Sequence, residues 1–140
     1  MAAKPEPHET ELSRPYWDAA RKGVLLIQKC ANCGKLRHYP QLVCDRCHSL
    51  GVEWVEASGK GEVHSWTVAH HVFHPGFAGE VPYALVTVDL AEGVRALGRL
   101  EGMEAGALRL GFPVEAGFHV EENGTPVLRF RPAGTRRNDR

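Results

Sequence analysis

Apolar positions along this chain fall in short runs broken by glycine, not at helical spacing, and they predict a mainly β protein. Val24 to Lys29 and Leu36 to Pro40 read as two strands flanking a turn. Beyond Trp54 come five more: Gly61 to Val72, Tyr83 to Leu90, Val94 to Leu100, Val114 to Val120 and Val127 to Arg131. Gly59-Lys60-Gly61, Glu92-Gly93 and Asn123-Gly124 mark turns between them. Glu101 to Leu110 is too glycine-rich for a firm helix and long enough for a crossing segment. Five strands interrupted by such a crossover after the third fit an OB-fold barrel, and another small Greek-key barrel fits the count nearly as well. One short helix precedes them, with Ser13 as its cap, Pro15 in its first turn and Gly23 as its stop. Its Tyr16, Trp17 and Ala20 form a patch for a partner or for the rest of the chain.

Cysteine spacing adds chemistry to this picture. Cys30 and Cys33, then Cys44 and Cys47, are the only cysteines, paired as two CxxC knuckles. Two residues between ligands let a tight turn aim both thiolates at one tetrahedral ion, so the set reads as a structural zinc ribbon. Rubredoxin-type iron, a redox CxxC pair and disulfides are the other uses of such spacing. Gly34 can supply the positive φ that the first knuckle needs; the second has His48 at that place. The gap between the pairs suits two knuckles presented by one short hairpin. Four protein ligands leave no open position, so the metal is expected to hold structure only. Lys29, Lys35, Arg37 and Arg46 crowd the knuckles with only Asp45 opposing them, either solvated and offsetting thiolate charge or receiving a phosphate or an acidic partner face.

The 140 residues carry 17 basic and 17 acidic side chains, which gives no global attraction to nucleic acid. The start lacks an apolar leader and no segment reaches the length of a membrane span, so a cytoplasmic protein is expected. Expected boundaries are 1–23 for leader and helix, 24–53 for the ribbon, 54–132 for the barrel and 133–140 for a disordered tail. No phosphate-binding loop surrounds Gly102 or Gly106, and neither Ser58 nor Ser65 sits in a nucleophile elbow. Strand parity puts His64 and His70 on one face and His71 on the other, with His74 in the following loop. Their convergence on one metal is awkward, and no acidic residue is expected close by to orient an imidazole. That loop, Val72 to Pro82, is the better contact candidate, since Phe73 and Phe77 must cover the barrel, meet a partner or line an acyl passage.

Taken in order, Pro15-Tyr16-Trp17, the two knuckles, Gly59-Lys60-Gly61-Glu62-Val63, Val81-Pro82-Tyr83 and Arg129-Phe130-Arg131-Pro132 resemble a zinc-ribbon plus OB-fold family long catalogued as a domain of unknown function. The resemblance covers about residues 12 to 133. It implies a rubredoxin-like four-cysteine zinc ribbon followed by a five-stranded OB-fold. It also implies a small, non-catalytic subunit of a heteromeric complex with a thiolase-fold or related acyl-CoA enzyme, acting on carbon–carbon bonds of CoA thioesters. On that reading Tyr16, Trp17, Lys35, Arg37, Phe73, His74 and Phe77 are candidate contacts to the partner or to acyl-CoA. The alternative is an OB and zinc-ribbon module for single-stranded nucleic acid.

Overall fold

The computed structural model describes residues 3–134, so the expected tail lies outside it from position 135 onward. The short helix α1 spans Arg14–Arg21, with Pro15 in its first turn and Gly23 at φ +82° just beyond its end. Ser13 precedes it without a side-chain capping bond. Its hydroxyl instead accepts the Thr10 N–H at 3.1 Å, while Ser13 N–H donates to Thr10 Oγ1 at 3.2 Å. The hydroxyl is therefore committed to the preceding turn, not to the orphan N–H groups of the helix. The amphipathic patch docks on the chain itself: α1 packs on the ribbon and on the last two barrel strands. Tyr16 lies against the core cluster with Phe118 edge-on, their ring centroids 6.2 Å apart.

A three-stranded sheet carries the ribbon, with β1 (Leu26–Cys30) between β2 (Leu36–Arg37) and β3 (Val52–Glu56). The strand expected over 36–40 is only two residues long: pairing with β1 stops at Gln28↔Arg37, and the chain leaves the sheet at His38, with Tyr39 exposed. β3 straddles the expected boundary at 53/54, pairing with β1 from Leu26↔Glu56 to Cys30↔Val52.

The barrel closes in the order β4-β5-β6-β8-β7. Its strands are β4 (Lys60–Ala69), β5 (Tyr83–Leu90), β6 (Arg95–Leu100), β7 (Pro113–Val120) and β8 (Pro126–Pro132). All neighbours are antiparallel except β6 and β8, which meet in parallel through Arg99↔Arg129 and Leu100↔Phe130. That parallel step needs a crossover, and the glycine-rich segment supplies it with a single 3-10 turn, Ala105–Ala107. This is the OB-fold.

Alternate residues of β5 and β6 point inward, so Val86, Val88, Leu90, Ala96 and Leu100 meet Val63, Val114, Leu128 and Phe130 in one core. Leu25 and Ile27 of the ribbon belong to the same cluster. Burying such side chains contributes roughly 1.5–3 kcal/mol each, so the ribbon is fastened to the barrel by shared core. Gly98 leaves room for the Phe130 ring: a Cβ there would sit 2.7 Å from Phe130 Cδ2.

Candidate metal centre and the faces around it

The four cysteines converge. Their Sγ atoms all lie within 4.8 Å of one another, with Cys30 and Cys47 3.5 Å apart and Cys33 and Cys44 3.6 Å apart. A tetrahedral zinc with bonds of about 2.3 Å places sulfurs roughly 3.8 Å apart, so the cage has the right size. It is built from two copies of one turn. In the first, Cys30 N–H donates to Lys35 O and Gly34 N–H to Cys30 O; in the second, Cys44 N–H donates to Ser49 O and His48 N–H to Cys44 O. Gly34 takes φ +80° and His48 takes φ +64°, so the histidine supplies the left-handed step. The first knuckle sits in the β1–β2 turn, whereas the second lies in the long β2–β3 connection and not on the same hairpin.

Backbone donors prepare the sulfurs for charge. The N–H groups of Cys33 and Asn32 point at Cys30 Sγ and bring its thiol down to about 6. Those of Cys47 and Arg46 lower Cys44 likewise. Cys33 receives the Lys35 N–H as well, yet burial and three neighbouring sulfurs outweigh it and push its thiol up to about 11. Four thiolates this close repel unless a cation lies between them. The donor set and its spacing fit a divalent ion such as zinc, held by Cys30, Cys33, Cys44 and Cys47 with no position left for substrate.

The basic residues around the knuckles divide. Lys35 Nζ bonds Asp45 Oδ1 at 2.6 Å, which with Arg37 holds the Asp45 carboxyl below its usual range. Arg37 is 5% exposed and therefore unavailable to a partner or ligand. Its Nε donates to Gln28 Oε1 at 2.7 Å and its Nη2 to Gln41 O at 3.2 Å. Gln28 Oε1 also accepts Gln41 N–H at 2.8 Å, so one buried amide organises the turn between the knuckles.

The histidines form no centre. A bulge between Val63 and Ser65 breaks the parity at His64, and β4 ends at Ala69, so His70 and His71 are not in the strand. An acidic neighbour does exist: Asp89 Oδ2 lies 3.4 Å from His64 Nδ1, across the sheet and 25 positions away in the sequence. His74 works locally, its Nδ1 accepting Gly76 N–H at 2.9 Å to cap the 3-10 turn Pro75–Phe77. Among the described residues the four cysteines are the one set of three or more His, Cys, Asp or Glu donors that converges.

Three of the proposed contact residues meet at one groove. Tyr16 and Trp17 from α1 and Phe77 from the β4–β5 loop line a space of about 580 Å³, with Leu85, Leu97 and Leu128 as its barrel wall. Burial raises the Tyr16 hydroxyl far above its ordinary value, which keeps it neutral. Lys35 and Phe73 lie elsewhere, and Phe73 is 76% exposed. The leader, Lys4 to Pro7, borders this groove. Lys4 Nζ bonds Glu121 Oε1 at 2.7 Å and pairs with Glu80, and Glu80 in turn pairs with Arg99. Sequence patterns give no sign of this clasp, because Lys4 and Glu121 are 117 positions apart.

No helix among the described residues is long and apolar enough to cross a membrane. The family model for the ChsH2 rubredoxin-like zinc ribbon matches residues 17–53, and that for the ChsH2 C-terminal OB-fold domain matches residues 54–119. A probable enoyl-CoA hydratase alpha subunit of Thermomonospora curvata is 37% identical over 94% of this chain, which spans 41% of that protein. A DUF35 domain-containing scaffold protein of Methanocaldococcus jannaschii is 31% identical, with 83% of this chain and 87% of the relative aligned. The solved structure described as "Ltp2-ChsH2(DUF35) aldolase" contains a chain 37% identical to this one, with a TM-score of 0.84 over 91% of this chain and 99% of that one. With its knuckles, its barrel order and these matches in agreement, the chain belongs to the DUF35 family of ChsH2-type proteins, a rubredoxin-like zinc ribbon followed by an OB-fold.

Proposed function

We propose that this chain is a non-catalytic, zinc-carrying subunit of a heteromeric enzyme that makes or breaks carbon–carbon bonds in acyl-CoA thioesters, its partner a thiolase-fold or related subunit. The observation that carries this reading is the near-complete coverage of the DUF35 chain of the solved Ltp2-ChsH2(DUF35) aldolase, 37% identical to this one. Chemistry within the chain agrees with it. All four cysteines are spent on one closed cluster, His74 is spent on a turn, and catalytic groups are accordingly assigned to the partner.

The groove beneath the leader is the place we assign to the acyl part of a CoA thioester. Its walls are aromatic and aliphatic, and the cations at its end, Lys4 and Arg99, already face Glu80 and Glu121. Such a site favours a carbon chain over the phosphates of CoA. The same pairing disfavours the oligonucleotide reading: Arg95 faces Asp89, Arg129 faces Glu121 and Arg131 faces Glu115, so the barrel offers no stripe of uncompensated charge.

Native co-purification with this protein as bait, with mass spectrometry and a metal assay on the same sample, tests the reading. Recovery of a thiolase-fold or hydratase subunit with about one zinc per bait chain is the expected result, and the isolated chain should turn over no acyl-CoA thioester. A zinc-loaded bait that returns alone, or with nucleic acid, would overturn it.

A further inference from the structure

The second half of β4 has an open edge. On one side it pairs with β5 along its length, from Gly61↔Leu90 to Ala69↔Tyr83. On the other it pairs with β7 only through Lys60–Glu62, and Val63 completes that edge by exchanging bonds with Phe112 O and Gly111 N–H. Among the described residues no strand covers Ser65 to Ala69 on that side. Ser65, Trp66, Thr67 and Val68 are all exposed, Trp66 at 37% and Val68 at 36%. Strand edges left open are ordinarily blunted by charge, proline or a bulge. The outer edge of the ribbon sheet follows that rule, since β3 carries Glu53 and Glu56. Ser65-Trp66-Thr67-Val68-Ala69 carries neither charge nor proline, and the bulge lies before it.

The direction of the free groups can be worked out. Leu90 turns its N–H to Val94, so alternate residues Thr87, Leu85 and Tyr83 turn theirs to β4. Their partners Ser65, Thr67 and Ala69 are thereby bonded to β5. Trp66 and Val68 are left with N–H and C=O groups facing outward.

We propose that this edge is a homodimer interface, in which two copies of the chain pair β4 with β4 antiparallel about a two-fold axis through Thr67. The segment is self-complementary in that register. Trp66 of each copy lies opposite Val68 of the other, and each such pair exchanges two backbone hydrogen bonds with the very groups that are free. Thr67 faces Thr67 in the closer, non-bonded pairing, and Ser65 faces Ala69. Aromatic with β-branched and Thr with Thr are favourable cross-strand pairs, and an isologous contact closes without further growth. The proposal is independent of the acyl-CoA reading, which places its groove at residues other than Ser65 to Ala69.

Sedimentation equilibrium of the full zinc-loaded chain across a concentration series should show a species of twice 15.4 kDa. Val68→Lys, at an exposed position, should keep the fold and zinc content while weakening association at least about tenfold. Thr67→Cys should cross-link to its own copy under mild oxidation, because non-bonded partners bring Cβ atoms within about 4.5–5.5 Å. Ser65→Cys should not, its copies being about four residues apart along the strands, roughly 13 Å. Equal cross-linking of both variants, a dimer that survives Val68→Lys, or a monomer at every concentration would overturn the proposal. So would hydrogen exchange in which Trp66 and Val68 gain protection only when a different chain is added.

Discussion

Gly34 and His48 hold the same place in the two knuckles, each donating its N–H to the carbonyl of the first cysteine of its pair, at φ +80° and +64°. One is free to adopt that conformation and the other is not, since a Cβ in the left-handed region costs roughly 1–2 kcal/mol. His48→Gly should therefore stabilise the zinc-loaded protein by about 1 kcal/mol, and Gly34→Ala should destabilise it by a similar amount. Denaturant midpoints of the two variants decide the matter; an unchanged or lowered midpoint for His48→Gly would show that the imidazole itself stabilises the turn.

Metal removal should not stop at the ribbon. Structural zinc contributes on the order of 10–16 kcal/mol in small peptides, and Leu25 and Ile27 tie the ribbon into the barrel core. Chelation, or Cys30→Ser, should abolish zinc binding, melt the ribbon and lower the unfolding temperature of the barrel. Metal analysis with hydrogen exchange resolves the two parts. A Cys30→Ser chain that retained stoichiometric zinc and a protected β1 would contradict the assigned ligand set.

Gln28 is buried and is the partner of a buried guanidinium. Replacing it with Leu keeps the volume but removes the acceptor shared by Arg37 and the Gln41 N–H. Leaving charged and backbone donors unpaired should cost about 2–4 kcal/mol, read from urea unfolding. A loss below about 0.5 kcal/mol, the level of an ordinary surface change, would mean that water reaches Arg37.

His38 gives the fold a pH dependence. Burial between Tyr16 and Tyr39 lowers its pKa from 6.5 to about 4. The folded state thus binds fewer protons than the unfolded state between those values. Its stabilising contribution is whole above pH 6.5 and is lost as pH falls toward 4, amounting to about 2 kcal/mol by pH 5. His38→Gln should flatten that part of the profile, and stability measured at pH 7.5 and pH 5 for both proteins gives the difference. Equal slopes would show that the imidazole is hydrated.

His74 has a local task with a local test. His74→Ala removes the acceptor for Gly76 N–H and should loosen the turn that sets Phe77 at the groove, at a cost of about 1 kcal/mol; His74→Asn should recover most of it. If neither variant differs from the wild type in stability or in exchange at Gly76, the cap contributes nothing.

The cysteine spacing by itself picked out the four side chains that converge, and the alternation of apolar residues with glycine turns determined five barrel strands within a few residues of their observed ends. Both depend on neighbours a few positions apart, and local geometry obeys short-range rules: a knuckle needs its two ligands and a strand needs its period of two. Tertiary structure decided the rest. Arg37 reads as a surface cation until Gln28 is seen beside it, and Ser13 reads as a cap until Thr10 takes its hydroxyl. The bulge at His64 shifted side-chain parity, and the mate of that histidine, Asp89, came from the next strand. Lys4 found Glu121 across nearly the whole chain, and the edge at Ser65 to Ala69 exists only because β7 stops pairing at Glu62. Charge partners and open edges are set by which distant segments the closed barrel brings together, and no short-range pattern encodes that.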